Sequence, residues 1–165
     1  MLSVMNTIRP RTFLALQSLL LLAGAMFAWA KLVPQFTGFY ALYGTFLRVS
    51  DCAIPNPFTT ACLYGSTAFL VALVWSLSAY QKPSLVSERR LRNFLLFCVA
   101  FAASVVAYEA VEYYKLFGPS TSAFICTPGV SPLQTPCFTG MLFFISAYIA
   151  SVFATRRLKL VSERS

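Results

Sequence analysis

Apolar residues fall into four long runs separated by polar, turn-forming stretches: 13–30, 63–80, 94–108 (running on past Glu109 to 111) and 138–154. Most are about 17–18 residues long, or roughly 26 Å as helix, the short end of what crosses a bilayer. The pattern predicts an all-α membrane protein with four transmembrane helices. Composition sharpens this. Hydrophobic residues make up 58% of the chain and charged residues 11%, with a mean hydropathy of +0.71. A soluble domain of this size needs far more polar surface. Little chain is left outside the four runs, so a single bundle is expected, with the lipid bilayer as its first partner.

The chain also repeats itself. The pattern P-x-x-T-x-C-x-x-G-x-x-x-F occurs at Pro57, Thr60, Cys62, Gly65 and Phe69, and 75 positions later at Pro132, Thr135, Cys137, Gly140 and Phe144. The same offset joins Ser76 to Ser151 and two copies of Leu-Val-Ser-Glu-Arg, at 85–89 and 160–164. A match of that length at a fixed period indicates tandem duplication of a two-helix unit, 1–84 followed by 85–165. Each unit holds two spans, so both insert the same way up and form a parallel, pseudo-two-fold repeat. Ala28-Trp29-Ala30 imitates a signal-peptide cleavage site. However, Arg11-Thr-Phe-Leu aligns with Arg92-Asn-Phe-Leu, which makes 13–30 the counterpart of the third span and predicts an uncleaved first helix.

Charge fixes the expected orientation. Ten of the 13 basic residues fall on one side of the four-span arrangement: Arg9, Arg11, Lys82, Arg89, Arg90, Arg92, Arg156, Arg157, Lys159 and Arg164. Basic residues near membrane ends stay in the cytoplasm, which places both termini and the 82–92 segment there. The plasma (inner) membrane of a prokaryote is the expected location. The net charge of +8 is then a topology signal. Basic residues interleaved with aromatics on a soluble face are absent, so no nucleic-acid partner is expected.

Four of the five cysteines fall in the outer loops, and the duplication favours one bridge per repeat, Cys52–Cys62 and Cys126–Cys137. Thr135-Pro136-Cys137 reads as a helix N-cap, a proline at the first helical position and a cysteine in the first turn. A cysteine at a helix N-terminus has a stabilised thiolate and is reactive if reduced. Four helices with two outward-facing cysteine pairs resemble, in general plan, the quinone-linked disulfide-forming membrane oxidoreductases, the DsbB and vitamin K epoxide reductase families. Those families present a C-x-x-C at a helix end, and neither pair here has that spacing. The resemblance implies outer-face thiol–disulfide exchange coupled to a quinone.

Other candidate chemistry is sparse. The chain has no histidine, which removes the usual general base and the commonest metal ligand, and no metal site is expected. Glu109 and Glu112 share a helical face near the outer end of the third span, where Lys115 follows at i+3 from Glu112. Lys31 is the counterpart of Glu112, so Lys31, Glu109, Glu112 and Lys115 form a candidate interfacial charge cluster. In the first outer loop, Phe36, Phe39, Tyr40, Tyr43 and Phe46 are spaced to put rings on one face of a short helix over 34–49, lying on the membrane surface. Gly38 and Gly44 weaken such a helix, so it needs something to rest on. These rings suit a docking surface for another integral membrane protein, or a cover over a lipid-like ligand.

The leading functional expectation is a non-enzymatic accessory or scaffold subunit of a larger membrane assembly. The alternative is a quinone-linked thiol–disulfide oxidoreductase, and a weaker one is a small transporter, motivated by the parallel repeat and Glu109/Glu112. The four spans contain no proline, whereas transporters break helices at the midplane. No cofactor is demanded by the residues, and a quinone or other lipid-like ligand is the one the aromatic cover would suit. Accessibility labelling of introduced tags should find the 82–92 segment and both termini together on the cytoplasmic side. An externally labelled 82–92 segment would overturn the charge argument.

Overall fold

The computed structural model describes residues 10–45, 56–116 and 131–163. Within them the chain is helical, with four helices each long and apolar enough to cross a membrane. These are α1 (Pro10–Tyr43), α2 (Ala61–Gln81), α3 (Leu85–Tyr113) and α4 (Pro136–Ser162). Single 3-10 turns, Pro57–Thr59 and Pro132–Gln134, lead into α2 and α4.

The local sequence explains most helix ends. Pro136 stands at the first helical position of α4, and the Thr135 hydroxyl accepts a hydrogen bond from the Phe138 amide at 3.3 Å, satisfying one orphan donor of the first turn. The matching start at Thr60 is built differently. Its hydroxyl turns back and donates to the Pro57 carbonyl at 2.8 Å, leaving the cap without a side-chain acceptor. Between α2 and α3, Pro83 disfavours helical backbone at Lys82, which adopts φ −125° and ψ 82°. Leu158 stands at the equivalent position 75 residues on, where nothing interrupts the helix, and α4 continues into the second copy as far as Ser162.

Helix α1 corrects one expectation. The aromatic segment does not form a separate helix on the membrane surface, because α1 continues through it. At 34 residues it is about 51 Å long, roughly 20 Å more than the hydrocarbon core of a bilayer. Pro34 lies inside the helix. It removes one backbone donor, from the Ala30 carbonyl, and the next turn is held by Thr37, whose hydroxyl reaches the carbonyls of Pro34 (3.1 Å) and Val33 (3.3 Å). Gly44 stops the helix rather than weakening it. Its φ of +64° is the left-handed cap conformation, and its N–H closes onto the Tyr40 carbonyl at 2.8 Å.

The helices form a square. Helix α1 packs along both α2 and α4, and α3 packs along α4, whereas α2 and α3 make the thinnest contact of any neighbouring pair. Across the diagonals, α1 and α3 make no close backbone approach, although their side chains meet in the core, and α2 meets α4 only locally. That local contact is a ring stack at the centre: Phe69 and Phe144 lie 3.8 Å apart between centroids and 6° from parallel, both almost wholly buried. Around it the core is built of Leu21 and Ala25 from α1, Ala72 from α2, Leu91 and Leu95 from α3, and Ala147 from α4. Lipid gives no hydrophobic drive for helix association, so close approach at small residues and van der Waals packing must hold the bundle together.

Gly24 is required by this packing. A Cβ at Gly24 would collide with the Phe69 ring, whereas one at Gly65 would meet open space. Gly24→Ala should therefore lower unfolding stability in detergent by about 1–3 kcal/mol. Gly65→Ala should leave it within about 0.5 kcal/mol. Equal stabilities of the two variants would show that the central stack does not constrain the bundle.

Candidate functional site

The thin α2–α3 contact leaves a half-open cleft in the half of the bundle away from its basic end, here called the outer half, with a volume of about 460 Å³. Its floor is the Phe69–Phe144 stack. Its α3 wall carries Phe94, Phe97 and Phe101, and its outer rim carries Lys31, Thr59 and Tyr64. The lining is almost entirely apolar, and the volume falls within the roughly 300–1,000 Å³ typical of ligand pockets. The residues of the repeated pattern converge on it: Cys62, Gly65 and Phe69 from α2, and Cys137, Gly140 and Phe144 from α4. Seven residues, two helical turns, separate the cysteine from the phenylalanine in each copy, so both lie on one helical face.

Three of the five cysteines line this cleft: Cys62, Cys98 and Cys137. Cys62 is disulfide-bonded, whereas Cys98 and Cys137 carry thiols. The expected Cys126–Cys137 bridge involves Cys126, which lies outside the described residues. The Cys137 thiol faces the Glu109 carboxyl, an arrangement set by the first turn of α4 passing beside the outer end of α3. Cys52 and Phe46 also lie outside the described residues.

Glu109 is buried, 4% exposed, where α3 meets the start of α4. Its Oε2 accepts a hydrogen bond from the Thr135 hydroxyl at 2.8 Å, and its Oε1 has no partner. Thr135 has one proton to share between Glu109 and the Pro132 carbonyl 2.9 Å away, while its oxygen caps α4. The carboxyl therefore sits at a helix N-terminus, where the exposed amide dipoles favour negative charge. Thr135 was identified from the sequence as a cap only. Its second role needs the α3–α4 packing, which no local signal encodes.

The rest of the expected charge cluster does not assemble. Glu112 accepts from the Tyr108 hydroxyl at 2.8 Å, one turn back, and its other oxygen is buried without a partner. Lys115 lies beyond the end of α3 with φ +53°, so the helical i, i+3 geometry ends before reaching it. Lys31 is on α1, diagonally across from α3, with no close backbone approach between the two helices. Among the described residues the ion pair is Lys159 with Glu163, 3.6 Å apart on the surface of α4.

The aromatic residues are divided by burial rather than presented as one face. Phe39 is 0% exposed and packs on Tyr43 with centroids 4.8 Å apart. Phe36 is half-buried and meets Phe58 edge-on at 5.2 Å, while Tyr40 is 53% exposed. Phe39 is therefore part of the protein's own packing and is unavailable for docking.

One buried polar group of the bundle lies outside the predicted sites. Glu88, inside the basic stretch that opens α3, is 0% exposed. Its spacing from Leu91, Leu95 and Cys98 puts it on the buried face of α3, a signal present in the sequence but masked by the neighbouring arginines. No known protein family, curated protein or solved structure matches the chain.

Proposed function

We propose that this protein is a non-enzymatic accessory or scaffold subunit of a larger membrane assembly, and that the α2–α3 cleft receives apolar side chains from a transmembrane segment of its partner. The observation that carries this reading is the cleft itself, an apolar recess of about 460 Å³ on the side of the bundle where neighbouring helices pack least. Ala61, Gly65 and Ala68 on α2 and Ala102 on α3 line it. Small residues of this kind let a further helix backbone approach closely, the usual basis of helix association in lipid. The protein sits in the plasma (inner) membrane of a prokaryote with its basic end and both termini cytoplasmic. Its two helix pairs descend from one duplicated unit, a reading supported by the matched turns at Pro57 and Pro132 and by the facing Phe69 and Phe144.

Gly65 gives a test that spares the fold, because a side chain there enters open space. A photo-crosslinking residue in place of Ala102 should yield one discrete protein adduct in intact membranes. Gly65→Leu should abolish that adduct while leaving the unfolding temperature unchanged. Crosslinks to lipid alone, or an adduct indifferent to Gly65→Leu, would remove the cleft from the partner contact.

A second reading is favoured by one specific observation: the disulfide-bonded Cys62 and the thiol of Cys137 line the same cleft. In a quinone-linked oxidoreductase, two thiols would pass two electrons and two protons to a quinone, leaving a disulfide and a quinol. The scaffold reading instead makes Cys52–Cys62 a permanent staple, whose removal should cost about 2–4 kcal/mol. Mass mapping of unreduced protein before and after exposure to a quinone separates the two. Conversion of the Cys137 thiol to a disulfide with stoichiometric quinol would replace the scaffold reading.

A further inference from the structure

A chain of buried polar side chains crosses the basic end of the bundle and joins all four helices. The Ser76 hydroxyl of α2 bonds the Ser18 hydroxyl of α1 at 2.8 Å. Next to Ser18 in sequence, Gln17 reaches Glu88 of α3. Glu88 Oε1 accepts from the Ser151 hydroxyl of α4 at 2.6 Å. Gln17 and Glu88 are both 0% exposed. Yet Glu88 Oε2 has no hydrogen-bond partner, and neither atom of the Gln17 amide makes a bond of good geometry. Two fully buried polar groups thus face each other with their bonding capacity unused.

An ionised carboxylate in that position, with one oxygen unsatisfied, is disfavoured by burial away from water. A proton on Oε2 removes the buried charge and supplies a donor for the Gln17 amide oxygen, leaving the amide N–H groups as the remaining unpaired donors. The carboxyl O–H then donates to the Gln17 amide oxygen, while Oε1 continues to accept from Ser151. When the proton leaves, the Gln17 amide must turn over, so that its N–H donates to the carboxylate. We propose that Glu88 and Gln17 form a proton-binding site in which the Gln17 amide reverses as the proton is lost.

A proton is favoured over a metal cation for two reasons. The site offers a single carboxyl, and Arg92 on the same helix faces it as a like charge to any second cation. The groups presented by α1 and α4 are Gln17 and Ser151, both uncharged, and the linked Ser18–Ser76 pair from α1 and α2 is uncharged also. Arg92 is therefore the charged group that tunes the site. Helices α1 and α3 make no close backbone approach, so the Gln17–Glu88 contact is a polar side-chain tie across that diagonal, and the bound proton decides which way the tie is made. This inference does not depend on what occupies the outer cleft.

Infrared difference spectroscopy on the full-length protein in nanodiscs, stepped from neutral to alkaline pH, reads the site directly. A protonated-carboxyl band sensitive to deuterium exchange should be lost on the alkaline step. The band should be missing from Glu88→Gln, shifted in both Gln17→Leu and Ser151→Ala, and retained in Glu109→Gln, the control for the other buried carboxyl. The Gln17→Leu and Ser151→Ala shifts keep the test decisive if Glu88→Gln fails to fold. Absence of the band in the wild type, its persistence in Glu88→Gln, or its displacement by sodium at constant pH would overturn the proposal.

Discussion

Two phenylalanine rings lying flat on one another at the middle of a four-helix square set most of what surrounds them. Phe69 and Phe144 stack at a centroid distance of 3.8 Å, and each stands eight residues from the start of its helix. The stack thus fixes α2 and α4 at a common depth across a diagonal where the helices otherwise scarcely meet. Helix α1 is drawn in against it only because Gly24 has no Cβ to strike the Phe69 ring. A pair of aromatic rings contributes about 0.5–1.5 kcal/mol beyond the area it buries. Its larger effect here is geometric. The rings hold the centre of the square filled, so the space left by weak α2–α3 packing lies outward of them and becomes a recess with an aromatic floor.

Inward of the stack the same diagonal problem is solved by polar groups. Helices α1 and α3 are too far apart for backbone contact, and Gln17 and Glu88 are long enough to bridge the gap. Alanines such as Ala79 and Ala154 would leave that region underfilled if they were its sole lining. Polar groups at such a depth must find partners within the protein, because lipid supplies none. The serines provide them in part: Ser151 for Glu88, and Ser76 for Ser18. The bundle is therefore graded along its axis, from bridging polar groups at the basic end, through the ring stack, to an apolar recess at the outer end.

Much of this was legible in sequence where one physical rule governed a whole stretch. Uninterrupted apolar runs located all four helices, and Thr135-Pro136 marked the start of α4. Gly65, Gly140, Phe69 and Phe144 stood out as repeated before their shared cleft was known. The failures came where two rules competed. Lys31 and Pro34 read as the end of the first span, but a proline removes a single backbone bond, and burial of Phe39 one and a half turns later favours continuation. Glu88 lies among Arg89, Arg90 and Arg92 and reads as part of a solvated basic end, although its heptad position beside Leu91 and Leu95 says otherwise. Bonds between distant helices, such as Thr135 to Glu109, leave no trace in local spacing.

The two Leu-Val-Ser-Glu-Arg segments show how the same residues acquire different physics. In the first, Pro83 ends α2 and forces a turn, so the pentapeptide opens a new helix and turns Glu88 into the bundle. In the second, Leu158 lets α4 continue, and Glu163 ends up on the surface with Lys159 for company. A single proline therefore decides whether that glutamate is a buried tie or a solvated charge. The same divergence recurs at the outer end. Thr60 and Thr135 both turn back to a proline carbonyl, but only Thr135 also reaches Glu109, and Cys62 is bonded through sulfur while Cys137 faces that same carboxyl. Apolar positions match across the 75-residue offset, whereas polar ones take separate roles. The apolar framework thus supplies the recess, and the polar residues around it make its two sides chemically unequal.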